Sequence, residues 1–239
     1  MEKLDILAVG AHPDDIELGC GGTVISHVEQ GFNVGLLDLT QGELGTRGSA
    51  ELRLQEAAKA AEILGVTVRE NLGMADGFFV NDKEHQLQII QVLRRHQPDV
   101  VFATAIRDRH IDHGRASKLI SDACFLSGLR RIETTDNGVA QEAWRPKSVY
   151  HYIQDRYIEP DVIVDISEYW DRKQAAIQAF GSQFYNPNSK EPTSPIATKE
   201  FLENVKARAY QHGRTIGAKF GEGFTVERTP GVKDLVQLM

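Results

Sequence analysis

The sequence predicts an α/β fold, a Rossmann-like domain whose mostly parallel sheet carries helices on both faces. Three observations point there. Two apolar runs, residues 4–10 and 99–104, have the length of buried strands, and each leads into a cluster of His and Asp. Strand-like and helix-like patterns alternate through the first half of the chain, as βαβ units require. No repeat, low-complexity tract or linker interrupts the 239 residues, so 1–239 reads as a single domain.

The elements follow in order. Residues 4–10 form the first strand, and a helix over 19–30 is stopped by Gly31. Residues 32–40 form the second strand and lead into a Gly-rich loop to Gly48. Ser49 caps a helix to Leu64 that carries Leu54, Ala57, Ala58, Ala61 and Leu64 on one face, with Gly65 as its stop. A short strand begins at 66–68. Asp82 caps a helix to His96 with Leu87, Ile90 and Leu93 as its apolar stripe, and Pro98 lies just beyond. Strand 99–104, the His-Asp loop and a helix from about His113 to Leu129 complete the unit. The second half is less regular, with strands at 148–152 and 162–165 and helices near 168–180 and 195–216. Between those helices, the 181–195 stretch is rich in turn formers and aromatics, either a loop that covers substrate or a plain connection.

A formal net charge of −7 argues against broad binding to nucleic acid or acidic membranes. The two cysteines, Cys20 and Cys124, fall inside expected helices and form no disulfide framework, as in a reducing compartment. Residues 1–5 run straight into the first strand, which leaves no room for a signal peptide, and no apolar run reaches membrane-spanning length. The expected location is cytoplasmic.

Open α/β sheets bind ligands beyond the carboxyl ends of their strands. There the chain places Ala11-His12-Pro13-Asp14-Asp15 and, a hundred residues on, Arg109-His110-Ile111-Asp112-His113. Catalytic zinc takes three His or carboxylate ligands plus a water. The ligand candidates are His12, Asp14 or Asp15, and His110 or His113. A carboxylate and a His remain after ligation, as a base and a group to support an oxyanion. Singly, each piece has a plain alternative: a lone loop His is commonly structural, and either Asp could cap the next helix. Two such clusters after two expected strands point to a metal-dependent hydrolase.

Ala11–Asp15 followed by Gly19-Cys20-Gly21-Gly22-Thr23 resembles the opening motif of the LmbE/PIG-L deacetylases. Thr40–Arg47, with Arg53 and Glu56 in the next helix, resembles the second family block, and His110–His113 the third. Ile16 departs from the pattern, since many members carry Glu directly after the Asp pair. The resemblance implies a zinc-dependent deacetylase of N-acetylglucosamine units, with one Zn2+ per chain held by His12, Asp15 and His113. Ferrous iron (Fe2+) or cobalt (Co2+) also suits such a ligand set. Asp14 would be the general base, His110 would stabilise the oxyanion, and Asp112 would orient His110 and favour its cation. Within the family, the chain resembles the bacillithiol-biosynthesis branch acting on N-acetylglucosaminyl-malate, with N-acetylglucosamine or short chitooligosaccharides as the alternative substrates. It is expected to act on a small acetylated amino sugar and to form a homo-oligomer, a hexamer being one form.

Arg53 and Arg109 are the expected substrate contacts, because arginine suits bidentate carboxylate binding. Glu43 and Arg47 also lie near the mouth, where loop charges are commonly just solvated. Gly19–Gly22 lacks dinucleotide-fingerprint spacing, so its glycines are read as sites of close packing. His27, His85 and His96 read as surface or core residues, Cys20 as packed, and His151 and His212 are left without a role. Two rivals remain: a phosphoesterase, which usually needs more ligands for two metals, and a metal-stabilised sugar-binding protein without turnover.

Overall fold

The computed structural model describes residues 3–236 and 238. Its elements are β1 (Ile6–Gly10), α1 (Asp15–Glu29), β2 (Val34–Thr40), α2 (Ala50–Leu64), β3 (Val68–Met74), α3 (Lys83–His96), β4 (Val100–Ala103) and α4 (Ile111–Ser127). A small hairpin of β5 (Thr135–Asp136) and β6 (Val139–Ala140) follows. The chain then forms β7 (Ser148–Tyr152), β8 (Val162–Asp165), α5 (Trp170–Gln178), α6 (Lys199–Thr215) and β9 (Gly221–Val226).

Seven strands make one sheet in the order β3-β2-β1-β4-β7-β9-β8. The first five of that order run parallel, whereas β9 pairs antiparallel with both β7 and β8. Alternation along β1 divides the core: Leu7 and Val9 pack with Ile90, Leu93 and Leu119 on one face, while Ile6 and Ala8 pack with Ile16 and Val24 on the other. Both faces are therefore apolar and helix-covered, as the α/β expectation requires. The strand order reverses between β1 and β4, so their carboxyl ends diverge into a crevice.

Ser49 and Asp82 cap α2 and α3 by accepting from the Leu52 and His85 N–H groups, and Gly65 stops α2 with a left-handed φ of 82°. Other boundaries differ from expectation. Helix α1 begins at Asp15, four residues before the expected 19, because the turn at Asp14 starts it directly after the His-Pro-Asp segment. Strand β3 extends from 68 to Met74. Its polar residues hid it: Arg69 is half-buried and paired with Asp38 and Glu17 rather than solvated. Strand β9 was not expected, since Gly221-Glu222-Gly223 reads as a turn and becomes a strand only between two partners.

The glycine run in α1 is a packing device, as expected. A Cβ on Gly19 would lie 2.2 Å from the Tyr152 ring, and one on Gly22 would lie 2.8 Å from Ile166. Helical geometry breaks at Cys20 (φ −142°, ψ 20°), which frees N–H groups in the middle of α1. Glu222 from β9 accepts them: Oε1 takes the Gly22 N–H at 2.9 Å, and Oε2 takes the Thr23 N–H and hydroxyl at 2.6 Å each. Lys173 completes this buried cluster by donating to Glu222 Oε1 at 2.5 Å and to the Leu18 carbonyl at 2.9 Å.

Candidate metal centre

At the end of β1 the chain turns through Pro13 and Asp14, whose φ of 127° is rare for a residue with a side chain. Asp14 precedes α1 without capping it, so neither strain nor burial is repaid by a helix-cap bond. The turn sends the two carboxylates in different directions. Asp14 pairs with Arg53 at 3.2 Å, and Arg53 also donates to the Pro13 carbonyl. Asp15 lies between two imidazoles, 3.4 Å from His12 Nδ1 and 3.1 Å from His113 Nε2. Ligand atoms around a tetrahedral zinc, with bonds of about 2.0–2.1 Å, stand roughly 3.3 Å apart. Each imidazole therefore stands at ligand spacing from Asp15, His12 at one carboxylate oxygen and His113 at the other.

The remaining nitrogen of each imidazole is tied to a carboxylate. His113 Nδ1 meets Asp108 at 2.6 Å, and His12 Nε2 meets Asp76 at 3.0 Å with Asp112 at 3.5 Å. Such outer carboxylates fix the ring and tautomer of a metal-binding His. His110 is held differently: its Nδ1 accepts the Asp112 backbone N–H at 3.3 Å, which leaves the proton on Nε2. The nitrogens of His12, His110 and His113 fall within 4.8 Å of one another, so distance alone admits His110 as a ligand. The protonated Nε2 argues for a donor instead. His12, Asp76 and Asp112 satisfy the same distance test; there the two carboxylates meet the outer nitrogen of His12.

Electrostatics separates the two aspartates. Burial pushes the Asp14 carboxyl up to about 7, against the pull of Arg53. Burial also opposes the Asp15 anion, but His113 and His12 outweigh it and hold that carboxyl well below the usual range. His110 is depressed by burial and by the neighbouring His12 and His113. Asp112 holds the His110 ring through its backbone N–H rather than through its carboxylate. The Asp112 carboxylate accepts instead from the Gly77 N–H at 2.7 Å and from Arg115 at 2.6 Å, and His110 leans to the neutral imidazole rather than the cation.

The centre opens into a pocket of about 540 Å³. His12, Asp14, Asp15, His110, His113, Arg53 and Arg109 all line it. Arg53 is buried and engaged with Asp14, while Arg109 is exposed and pairs with Asp155 at 2.7 Å. Gln183, Ser194 and Pro195, from the expected covering stretch, line the pocket as well. His151 does not: it is buried between Thr104, Ser117 and Glu227. His212 is buried beside the Glu222 cluster and faces a smaller cavity.

Sequence reasoning missed Asp108, Asp76, Gln154 and Arg208. Gln154 donates to Asp15 Oδ1 at 2.7 Å, and Arg208 donates to the Asp155 carbonyl at 2.6 Å. Two signals were available. Asp108 belongs to the Arg107–His113 cluster, and Asp76 follows β3, whose carboxyl end shares the same edge.

A crevice at the strand-order switch, with His and Asp at metal-ligand spacing and acid–base groups beside them, defines an α/β protein with a candidate hydrolytic metal centre. Residues 7–124 match the PIG-L family model, described as GlcNAc-PI de-N-acetylase. The chain belongs to the PIG-L/LmbE family. It is 28% identical to a diacetylchitobiose deacetylase of Thermococcus kodakarensis, over 95% of this chain and 84% of that protein. It is 30% identical to a 4-oxalmesaconate hydratase of Pseudomonas putida, over 74% of this chain and 73% of that protein. Among solved structures, the conserved protein TT1542 from Thermus thermophilus superposes with a TM-score of 0.85 at 37% identity, covering 96% and 97% of the two chains. Among the described residues, no helix is long and apolar enough to cross a membrane.

Proposed function

We propose that this chain is a zinc-dependent hydrolase that removes the acetyl group from a small N-acetylglucosamine-containing molecule, with N-acetylglucosaminyl-malate as the substrate. The observation that carries this reading is the division of labour around Asp15. The triad His12–Asp15–His113 has the donor types of a zinc site gathered about one carboxylate, and Asp14 and His110 remain beside it as acid–base groups. Bound zinc would supply Lewis-acid polarisation of the amide carbonyl and of the attacking water.

The protein groups do the rest. Asp14 takes a proton from the water, and its carboxyl, raised by burial, is matched to that task near neutral pH. Arg53 holds Asp14 in place. His110 donates from Nε2 to the developing oxyanion, which suits a neutral imidazole whose Nδ1 is already occupied. Arg109, at the exposed side of the pocket, is a substrate contact, and the 181–195 stretch covers the bound sugar.

A second reading is water addition to an unsaturated polycarboxylate. It is favoured by the relative named as a hydratase and by the four arginines that line the pocket, Arg47, Arg53, Arg109 and Arg208. One experiment separates the two. Zinc-loaded protein is given N-acetylglucosaminyl-malate, N-acetylglucosamine or 4-oxalmesaconate, and acetate release and the loss of conjugated absorbance are both followed. Acetate from the malate conjugate in preference to the free sugar, abolished by chelation and restored by zinc, is the expected result. Equal acetate release from both sugars would remove the malate assignment. Absorbance loss without acetate would replace the deacetylase by the hydratase.

A further inference from the structure

Of the four arginines that line the pocket, three have carboxylate partners. Arg53 pairs with Asp14, while Arg109 and Arg208 share Asp155. Arg47 has none. Among the described residues it forms no ion pair, although it is only 5% exposed. Its Nη1 donates to the Phe184 carbonyl at 3.4 Å, its Nη2 donates to Ser189 Oγ at 2.5 Å, and its Nε has no partner. A buried guanidinium answered only by neutral acceptors is costly, because nothing offsets the desolvation of its charge. The protein holds it there nonetheless: Gln183 donates to the Arg47 carbonyl at 2.7 Å, and Gly48, with a left-handed φ of 70°, closes the loop beside it.

We propose that Arg47 is the seat for a carboxylate borne by the substrate outside its N-acetyl group. The site takes an anionic glycoside rather than a neutral one, and the carboxylate supplies the counter-charge that the fold withholds. The two walls that meet at Arg47 suit the task. Its own Gly-rich loop comes from the β2 edge beside the metal centre, and Phe184 and Ser189 belong to the 181–195 stretch. An arriving carboxylate thus lies where these two segments meet. Each Nη keeps a second N–H beyond its bond to Phe184 or Ser189, and a planar guanidinium offers such a pair to a carboxylate in two parallel bonds. This assignment deepens the deacetylase reading and rests on it for the kinetic arm of its test alone.

The test compares wild type, Arg47→Gln and Arg47→Lys in three measurements. In the first, acetate release is measured from N-acetylglucosaminyl-malate and from the neutral methyl N-acetylglucosaminide. Arg47→Gln is expected to raise KM for the malate conjugate about tenfold or more, as loss of one partner of a buried charged pair does, with kcat nearly unchanged. The neutral glycoside should be turned over as in wild type. Arg47→Lys should fall between, since it keeps the charge and loses the fork. In the second, malate itself is titrated into each zinc-loaded protein by calorimetry. Binding by wild type and its loss in Arg47→Gln support the proposal even if no acetate appears, an outcome that would sink the deacetylase reading alone. In the third, melting temperature is recorded without ligand. It should hold or rise in Arg47→Gln, because an unpaired buried charge has been removed. A fall in melting temperature with unchanged substrate preference would make Arg47 a structural brace. Equal losses on charged and neutral glycosides, or malate affinity unaltered by the substitution, would likewise overturn the proposal.

Discussion

Two buried ionic clusters sit on helix α1, one at its first turn and one at its centre, and they differ in the space they open on. At the centre both oxygens of Glu222 are taken, by two backbone N–H groups, a hydroxyl and Lys173. At the first turn, Asp14 engages Arg53 through one oxygen at a backbone angle that favours glycine, and Asp15 bridges two imidazoles. Both clusters are buried, so burial does not distinguish them. Access does: the first lines a pocket of about 540 Å³, the second a cavity of about 10 Å³. A closed network rigidifies a fold, whereas one that opens on a pocket has capacity for chemistry.

The difference can be broken from either side. The largest expected effect is on turnover. Asp14→Asn should lower kcat by roughly 10²–10⁴-fold, the usual worth of a positioned base. Zinc content, read by atomic absorption, should stay at the wild-type level because Asn leaves His12, Asp15 and His113 in place. Loss of the metal together with activity would move Asp14 into the ligand set.

Glu222→Gln attacks the closed cluster and should act on stability instead. Removing one member of a buried pair leaves Lys173 uncompensated and costs about 3–5 kcal/mol, measurable as a fall in the urea midpoint. Activity per folded molecule should be retained. An unchanged midpoint would mean that the cluster does not hold α1.

The smallest effect probes a half-buried pair away from both clusters. The hydrogen bond from His96, opposed by partial burial and aided by Arg95, holds the Glu70 carboxyl below its ordinary value. A depressed carboxylate stabilises the fold above its unfolded pKa, and that contribution disappears as pH falls through the folded value. Wild type should therefore lose stability below about pH 4.5, and Glu70→Gln should flatten that limb of the stability–pH curve. Identical limbs would assign the acid sensitivity to other carboxylates.

Much of the first half was legible because its signals are local. Ser49, Gly65 and Asp82 mark helix ends through bonds within a few residues. The His-Asp loops follow strands whose apolar runs are continuous, as doubly covered parallel strands require. The second half obscured its elements for the opposite reason. Strand β9 is built around Glu222 and two glycines, and it is a strand because it lies between β7 and β8. Arg47 looked like a solvated loop charge, since nothing adjacent in sequence announces that residues 184 and 189 cover it.

Periodicity, capping residues and the two His-Asp loops were enough to establish the α/β class, the sheet edge that carries the site and the pool of ligand candidates. Tertiary structure decided how that pool divides. His12 meets Asp76 across 64 residues, Asp15 meets Gln154 across 139, and Gly22 meets Glu222 across 200. Such pairs depend on strand order and on which helix covers which face. A one-dimensional pattern encodes the period of an element but not its neighbours. The separation of an aspartate held between two imidazoles from one held by arginine, and of a paired arginine from an unpaired one, therefore arose only when the chain closed on itself.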